Sequence, residues 1–433
     1  MFTDFCRFLE ENKNEYGDFY QYKGLMNFYF VNKPEEAKRI LIGTNKDFSK
    51  KTKLTRGMHN VLGESIIISD FEQWKPRRRL MNPFFTKKNS LSMFSLMKMK
   101  IAEVIEEVEE ATNTETPTPY NIYHLFNDLI IRIIGHAFFN KSMQEDVKNI
   151  ENWLNTMRDY AKNPPLPILS HPNAPTPSNI RMKKARSAFL SYVNDIIKER
   201  QESKEEYNDL LGKILSLASE TEEHDITFDE NDMIMEVMNT IIAGHETTAN
   251  TIGWLLLILS RNQDKYDKLQ REIDEAFGKE YPSSKRVMEL EYLDWCIKEA
   301  MRLIPPAWVL TRRNFEDITL SDTHIKKDST LIFCPRFIHR DPRYWENPNE
   351  FMPERFSPDN AHNLHPDAYM PFGGGQRFCI GMHFAMVEMK ITLAMMLQKF
   401  RFIEDPTFKE EPIYSITTYP LNGIKMKILK RRL

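Results

Sequence analysis

The sequence predicts a mainly α-helical fold with a smaller β region, read as one domain over residues 1–433. Apolar residues recur at helical spacing from Phe94 to Glu110 and from Tyr120 to Phe139. A longer stripe of Met233, Val237, Ile241, Ile252, Leu256 and Leu259 runs to about Arg261, behind Thr227-Phe228-Asp229-Glu230, which has capping-box form. At about 1.5 Å per residue this helix measures roughly 50 Å, long enough to cross the molecule. Strand-like stretches are fewer, at Phe19 to Val31, Val309 to Arg312 and Tyr414 to Lys430.

Composition narrows the function. With 62 acidic and 59 basic residues the formal charge is -3, which gives no general attraction to nucleic acid, so any basic patch is local. Cys6, Cys296, Cys334 and Cys379 include no CxxC pair and do not form a disulfide framework, which points to a reducing compartment. The longest apolar run, Trp254 to Leu259, is far short of the roughly 20 residues that span a bilayer. Met1 to Asn14 mixes Asp4, Arg7, Glu10 and Glu11 among apolar residues, with no signal-peptide pattern. The expectation is a cytoplasmic protein with no transmembrane segment.

Taken in order, the aromatic runs around Phe19 and Phe28, bounded by Gly and Asn, predict a hairpin, and Pro34 starts a short helix through Ile42. Gly57 to Asp70 reads as a loop ending in Ile66-Ile67-Ile68. Trp74 and Arg78 stand one helical turn apart, with Pro76 between them, so that helix must begin near Pro76. Six prolines between 163 and 178 predict a loop, followed by a helix from Ile180 to Lys204 and an exposed stretch from Glu202 to Glu223.

In the middle of the long helix lies Ala243-Gly244-His245-Glu246-Thr247-Thr248. Gly, His and Thr are poor helix formers, and a carboxylate inside a buried helix is costly without work or a partner. Thr hydroxyls also bond the carbonyl one turn back and open the helix locally. A further helix, Val287 to Leu303, places Glu299 and Arg302 three residues apart, where a bidentate ion pair is available.

The stretch Pro371-Phe372-Gly373-Gly374-Gly375-Gln376-Arg377-Phe378-Cys379-Ile380-Gly381 carries the chemistry. Successive glycines suit a sharp turn or a close approach, such as to a flat cofactor. Cys379 lies just before an amphipathic helix running from Phe384 to Leu397, where the dipole and unpaired N–H groups favour a thiolate. A thiolate held there is a good axial ligand for haem iron.

Phe372-x-x-Gly375-x-Arg377-x-Cys379-x-Gly381 resembles the haem-binding signature of the cytochrome P-450 monooxygenases, and the resemblance covers nearly the whole chain. Ala243 to Thr248 is similar to that family's acid–alcohol motif, Glu299-x-x-Arg302 to its Glu-x-x-Arg, and Pro353-Glu354-Arg355-Phe356 to the segment whose Arg joins that pair. The resemblance implies haem b (iron protoporphyrin IX) with Cys379 as axial ligand. It implies that Trp74, Arg78, Arg312 and Arg377 hold the propionates, with Arg313 as the alternative to Arg312. Glu246 and Thr247 would deliver protons to dioxygen, while Glu299, Arg302 and Arg355 form a structural lock. His245 is not taken as a ligand, because the thiolate fills the axial position. The Pro-rich loop would lie over the substrate entrance, or serve only as a connector.

The resulting expectation is a monooxygenase that inserts one oxygen atom from dioxygen into a lipophilic molecule lined by Ile66, Ile67, Val237, Ile241, Ala243, Val309, Leu310 and Ile416. Electrons would come from a separate ferredoxin or flavodoxin, since no CxxxxCxxC spacing occurs and no flavin module follows Leu433. A face including Arg77, Lys87, Lys88, Lys390 and Lys399 would steer an acidic donor. Alternatives are a peroxide-driven peroxygenase, a haem-thiolate isomerase, a non-catalytic haem sensor, and a haem-free structural protein.

Overall fold

The computed structural model describes residues 4–24, 27–43, 47–112, 119–162, 174–203, 209–219 and 229–431. It is mostly helical with small sheets, and its axis is the 32-residue helix Glu230–Arg261, called the central helix below. Asp229 caps that helix in a reciprocal box with Asp232: its carboxylate accepts from the Asp232 amide at 2.7 Å. The box therefore sits two residues later than the Thr227–Glu230 reading, whose Thr227 and Phe228 fall outside the described residues. Helices Ile122–Phe139, Pro177–Glu202, Glu291–Leu303 and Met382–Lys399 pack around it. Leu255, Leu256, Leu257 and Leu259 are fully buried among them. Burying a Leu side chain contributes on the order of 2 kcal/mol each, so this half of the helix is held by apolar packing.

The hairpin forms as expected, Phe19–Tyr22 against Phe28–Val31, with Tyr20 and Phe30 stacked at 4.9 Å. It continues into a five-stranded sheet in the order Phe19–Tyr22, Phe28–Val31, Thr330–Phe333, Leu310–Asn314, Phe48–Ser49. A three-stranded sheet joins Tyr120–Asn121, Lys425–Lys430 and Phe400–Glu404. A two-stranded hairpin of Pro412–Tyr414 and Thr418–Pro420 carries the tip at Ile416.

Four readings need correction. Arg56–Leu62 is a helix, not a loop, because Val61 and Leu62 dock in the core. The stretch expected to be exposed contains helix Leu210–Ser219, whose Leu210, Leu211 and Ile214 are fully buried, while Asp209 ahead of it binds Arg200 at 2.7 Å. Val287 to Leu303 is two helices, Ser284–Met288 and Glu291–Leu303, broken at Glu289-Leu290. The helix bearing Trp74 spans Phe71–Met81, so Pro76 sits inside it, where its missing N–H leaves one ladder bond unmade. Of the Pro-rich loop, 163–173 lie outside the described residues, and Pro177 opens a helix. Among the described residues no helix is long and apolar enough to cross a membrane.

Near the end of helix Glu291–Leu303, Glu299 receives Arg302 through two bonds of 2.7 and 2.8 Å and Arg355 Nε at 3.1 Å. Arg302 also donates to the carbonyls of His339 and Pro348, each at 2.7 Å, and both Arg302 and Glu299 are wholly buried. Removing the anion leaves two buried guanidinium charges without it. Glu299→Ala is therefore expected to lower unfolding stability by roughly 3–5 kcal/mol, read by urea titration. A loss below about 1 kcal/mol, the range of a surface pair, would contradict this account.

Candidate active site

The glycine run is shaped by contact with a neighbouring helix. Gly373 and Gly375 have φ of +72° and +63°, in the left-handed region. A Cβ on Gly375 would lie 1.9 Å from the Leu41 carbonyl oxygen, at the end of helix Pro34–Ile42. This close approach folds the loop back so that the Cys379 amide donates to the Phe372 carbonyl at 2.9 Å. Gly381 then starts helix Met382–Lys399. The Cys379 sulfur accepts from the Gly381 and Met382 amides, which favour the thiolate, as do Arg78 and Lys50. Burial outweighs them and pushes the thiol above its ordinary pKa, opposite to the net effect expected from the helix terminus alone. Cys379 is exposed and lines a cavity.

That cavity measures about 720 Å³. Phe372, Arg377 and Cys379 line it on one side, and Ala243, Gly244, His245, Glu246, Thr247 and Thr248 on another. Ile66, Ile67, Val309, Leu310 and Ile416 supply apolar wall. Val237 and Ile241, expected in the wall, are instead fully buried in the core cluster, because Thr240, Ala243, Thr247 and Thr251 form the cavity face of the central helix.

Three cations meet at the Cys379 end: Arg312, Arg377 and Lys50, the last missed by sequence reasoning because a lone Lys in a loop has no pattern. Burial and repulsion from Arg312, Arg377 and Arg78 hold the Lys50 ammonium well below its ordinary pKa. Burial lowers Arg312 to about 10. Arg377 falls to about 9 through burial and Arg312, although Asp70 opposes the shift. Arg313 points to the other face of its strand and binds Asp328 at 2.7 Å, as strand alternation requires. Trp74 and Arg78 do not line the cavity; they brace it. Trp74 lies under the Arg377 guanidinium at 4.2 Å, and Arg78 donates to the Phe378 carbonyl at 2.8 Å.

Opposite them, Glu246 is a hub. Its carboxylate accepts from Arg158, from the Tyr123 hydroxyl at 3.2 Å and from the Thr417 hydroxyl at 2.6 Å. Arg158 also lies 3.7 Å over the Tyr419 ring. The hub thus joins helices Val147–Lys162 and Ile122–Phe139, the central helix and the Ile416 hairpin tip. Thr247, on the cavity face, donates its hydroxyl proton to the Ala243 carbonyl at 2.9 Å, so its oxygen can act toward the cavity only as an acceptor. His245 is buried, and burial lowers it to about 4, so it is neutral near pH 7. Sequence reasoning placed Thr417 at the substrate-lining tip but missed Arg158, Tyr123 and Thr417 as partners of Glu246, because groups 88, 123 and 171 residues away leave no local spacing.

A model of the cytochrome P450 family matches residues 3–427. Cytochrome P450 709B1 of Arabidopsis thaliana is 31% identical over 428 residues, covering 96% of this chain and 82% of that protein. Cytochrome P450 3A41 of Mus musculus is 30% identical over 402 residues, covering 88% and 78%. Cytochrome P450 4X1 of Homo sapiens is 28% identical over 423 residues, covering 93% and 82%. The chain belongs to the cytochrome P450 family. It is accordingly an oxidoreductase of the monooxygenase type that binds haem through a cysteine thiolate and uses dioxygen and a redox partner.

The residues present fit that cofactor. Arg78, Arg312 and Lys50 have no ion-pair partner among the described residues, although all lie close enough to Cys379 or to one another to shift pKa values. Buried cations that repel one another call for an anion, and a porphyrin brings two propionates. The loop geometry yields a direct test. Gly375→Ala forces its Cβ into the Leu41 carbonyl, so haem incorporation, read by the Soret-to-protein absorbance ratio, should fall severalfold. Gly373→Ala, with no atom within 4 Å, isolates the cost of the φ angle alone. Equal losses in the two variants would show that the contact with Leu41 is not what shapes the loop.

Proposed function

We propose that residues 1–433 act as one haem domain that inserts an oxygen atom from dioxygen into a lipophilic molecule bound in the 720 Å³ cavity. The observation that carries this reading is one cavity lined by Cys379 and the cations on one side and by the acid–alcohol turn of the central helix on another. The haem, when bound, supplies the oxidising power, which a thiolate ligand strengthens by pushing electron density toward the metal. Cys379 would be that ligand. Arg312 and Arg377 would hold the propionates, Lys50 would add charge, and Phe372 would pack beside the ring. Arg78 and Trp74 would act through Phe378 and Arg377, which they touch.

Thr247, with its own proton on Ala243, would accept a hydrogen bond from water in the cavity and hold it near the reacting oxygen. Glu246, whose carboxylate accepts from the Tyr123 and Thr417 hydroxyls and pairs with Arg158, would relay protons toward the cavity. The apolar walls at Ile66, Ile67, Ala243, Val309, Leu310 and Ile416 favour a substrate with few charges. The electron donor would be a separate ferredoxin or flavodoxin. Of the five cations suggested to attract it, two are unsuited. Arg77 is buried between Asp232 and Glu236, and Lys390 is buried against Asp294 at 2.9 Å; Lys87 and Lys88 are exposed.

The test is turnover with a surrogate ferredoxin and its reductase on a panel of fatty acids, terpenoids and steroids, wild type against Thr247→Val. The variant should consume reductant within about twofold of wild type, yet lose roughly tenfold or more of its product, with the missing electrons recovered as hydrogen peroxide. Unchanged coupling would remove Thr247 from proton delivery. Oxidation of no panel member by the wild type, with haem loaded and reduced, would contradict the lipophilic assignment.

A further inference from the structure

The segment 61–69 joins helix Arg56–Leu62 to helix Phe71–Met81, and Ile66 and Ile67 form cavity wall there. Regular secondary structure does not hold residues 63–69, so other contacts must fix this backbone. Arg186 Nε donates to the Val61 carbonyl and Asn239 Nδ2 to the Leu62 carbonyl, each at 2.8 Å. At Gly63 the chain runs so close to the central helix that a Cβ would sit 2.9 Å from Met235 Sδ. The Ile66 amide donates to Glu236 Oε1 at 2.8 Å. At the far end, the Ser69 carbonyl accepts from Arg377 Nη2 at 2.6 Å.

Among these contacts Glu236 is the least expected from packing. Its residue is 0% exposed, in a helix whose neighbouring positions Val237 and Met238 are apolar core. Arg77 Nη1 reaches Oε1 at 3.0 Å while its Nη2 binds Asp232 at 2.6 Å; Oε2 has no hydrogen-bond partner among the described residues. A buried ion pair of this kind is often no more stabilising than apolar residues of the same volume. Burial also pushes the carboxyl up to about 7 against the opposing pull of Arg77. Stability alone is thus a poor reason for a carboxylate here. Its Oε1 does something an apolar residue cannot: it accepts the main-chain N–H of a cavity-wall residue.

We propose that Glu236 is a positioning residue for substrate recognition: held by Arg77, it fixes the Ile66–Ile67 wall through the Ile66 amide and so sets the affinity for bulky apolar ligands. This rests on reading the cavity as the substrate site, and the two claims separate experimentally. The haem-loaded full chain and its Glu236→Leu and Glu236→Gln variants are compared by amide hydrogen exchange and by optical titration with 4-phenylimidazole and with imidazole. The first probe is large enough to press on the wall; the second is not.

In Glu236→Leu the amides of 64–69 should exchange about tenfold faster while the rest of the chain is unchanged, and the phenylimidazole Kd should rise about tenfold with imidazole unaltered. Glu236→Gln keeps an acceptor and should fall between, and it carries the test by the same criteria if the Leu variant does not fold. Unchanged exchange at 64–69, acceleration spread evenly over the chain, or equal weakening of both probes would overturn the proposal. So would faster exchange with phenylimidazole affinity intact. Failure of the haem reading shows separately, as no optical response in wild type to either probe.

Discussion

The structure depends on a charge imbalance gathered around one cavity. A sulfur that burial holds in its protonated form and a set of mutually repelling cations line the same cavity. Neither arrangement is favourable in the protein alone. A metal beside the sulfur and an anion beside the guanidinium groups relieve both at once, and haem is one molecule that supplies the two. Binding energy of the cofactor is on this view folding energy for the surrounding loops, as linkage requires of a ligand that binds only the native state.

The rest of the molecule holds the walls of that space in place. Three ionic clusters, two of them buried and one half-buried, act at its edges, each on chain that regular secondary structure leaves loose. Glu299 with Arg302 and Arg355 pins the segment from His339 to Arg355 by its carbonyls. Glu246 with Arg158 ties the hairpin tip at Thr417 to the central helix. Glu236 with Arg77 holds Ile66. The common device is a carboxylate on a rigid helix that accepts from an arginine and from a group on an irregular segment. Apolar packing could fill these places, but it would not direct a backbone N–H or carbonyl.

Much of this was legible in the sequence because its signals are local. Five fixed positions within Phe372–Gly381 and Glu299 three residues before Arg302 can be read from spacing, whereas the choice between Arg312 and Arg313 stayed open until the strand face settled it. The strand hairpin at Phe19 and the helix from Pro34 have turn and cap residues that mark them. What escaped has no local mark. Arg158 and Thr417 meet Glu246 only through the fold, and Lys50 acquires meaning from guanidinium groups hundreds of residues away. Leu210–Ser219 was hidden by charged flanks, although its own leucines repeat as a helix should. Val237 and Ile241 share the apolar stripe with true wall residues, and only the rotation of the helix decides which side faces the cavity.

The central claim is that the Cys379 sulfur holds the haem iron. The most direct measurement is the absorption spectrum of the reduced, carbon monoxide-bound protein, compared with that of Cys379→Ser. The account predicts a Soret band strongly red-shifted by the thiolate in wild type and absent from the serine variant, whose helical circular dichroism is retained. An unshifted band in wild type, or a red-shifted band that survives in Cys379→Ser, would contradict it.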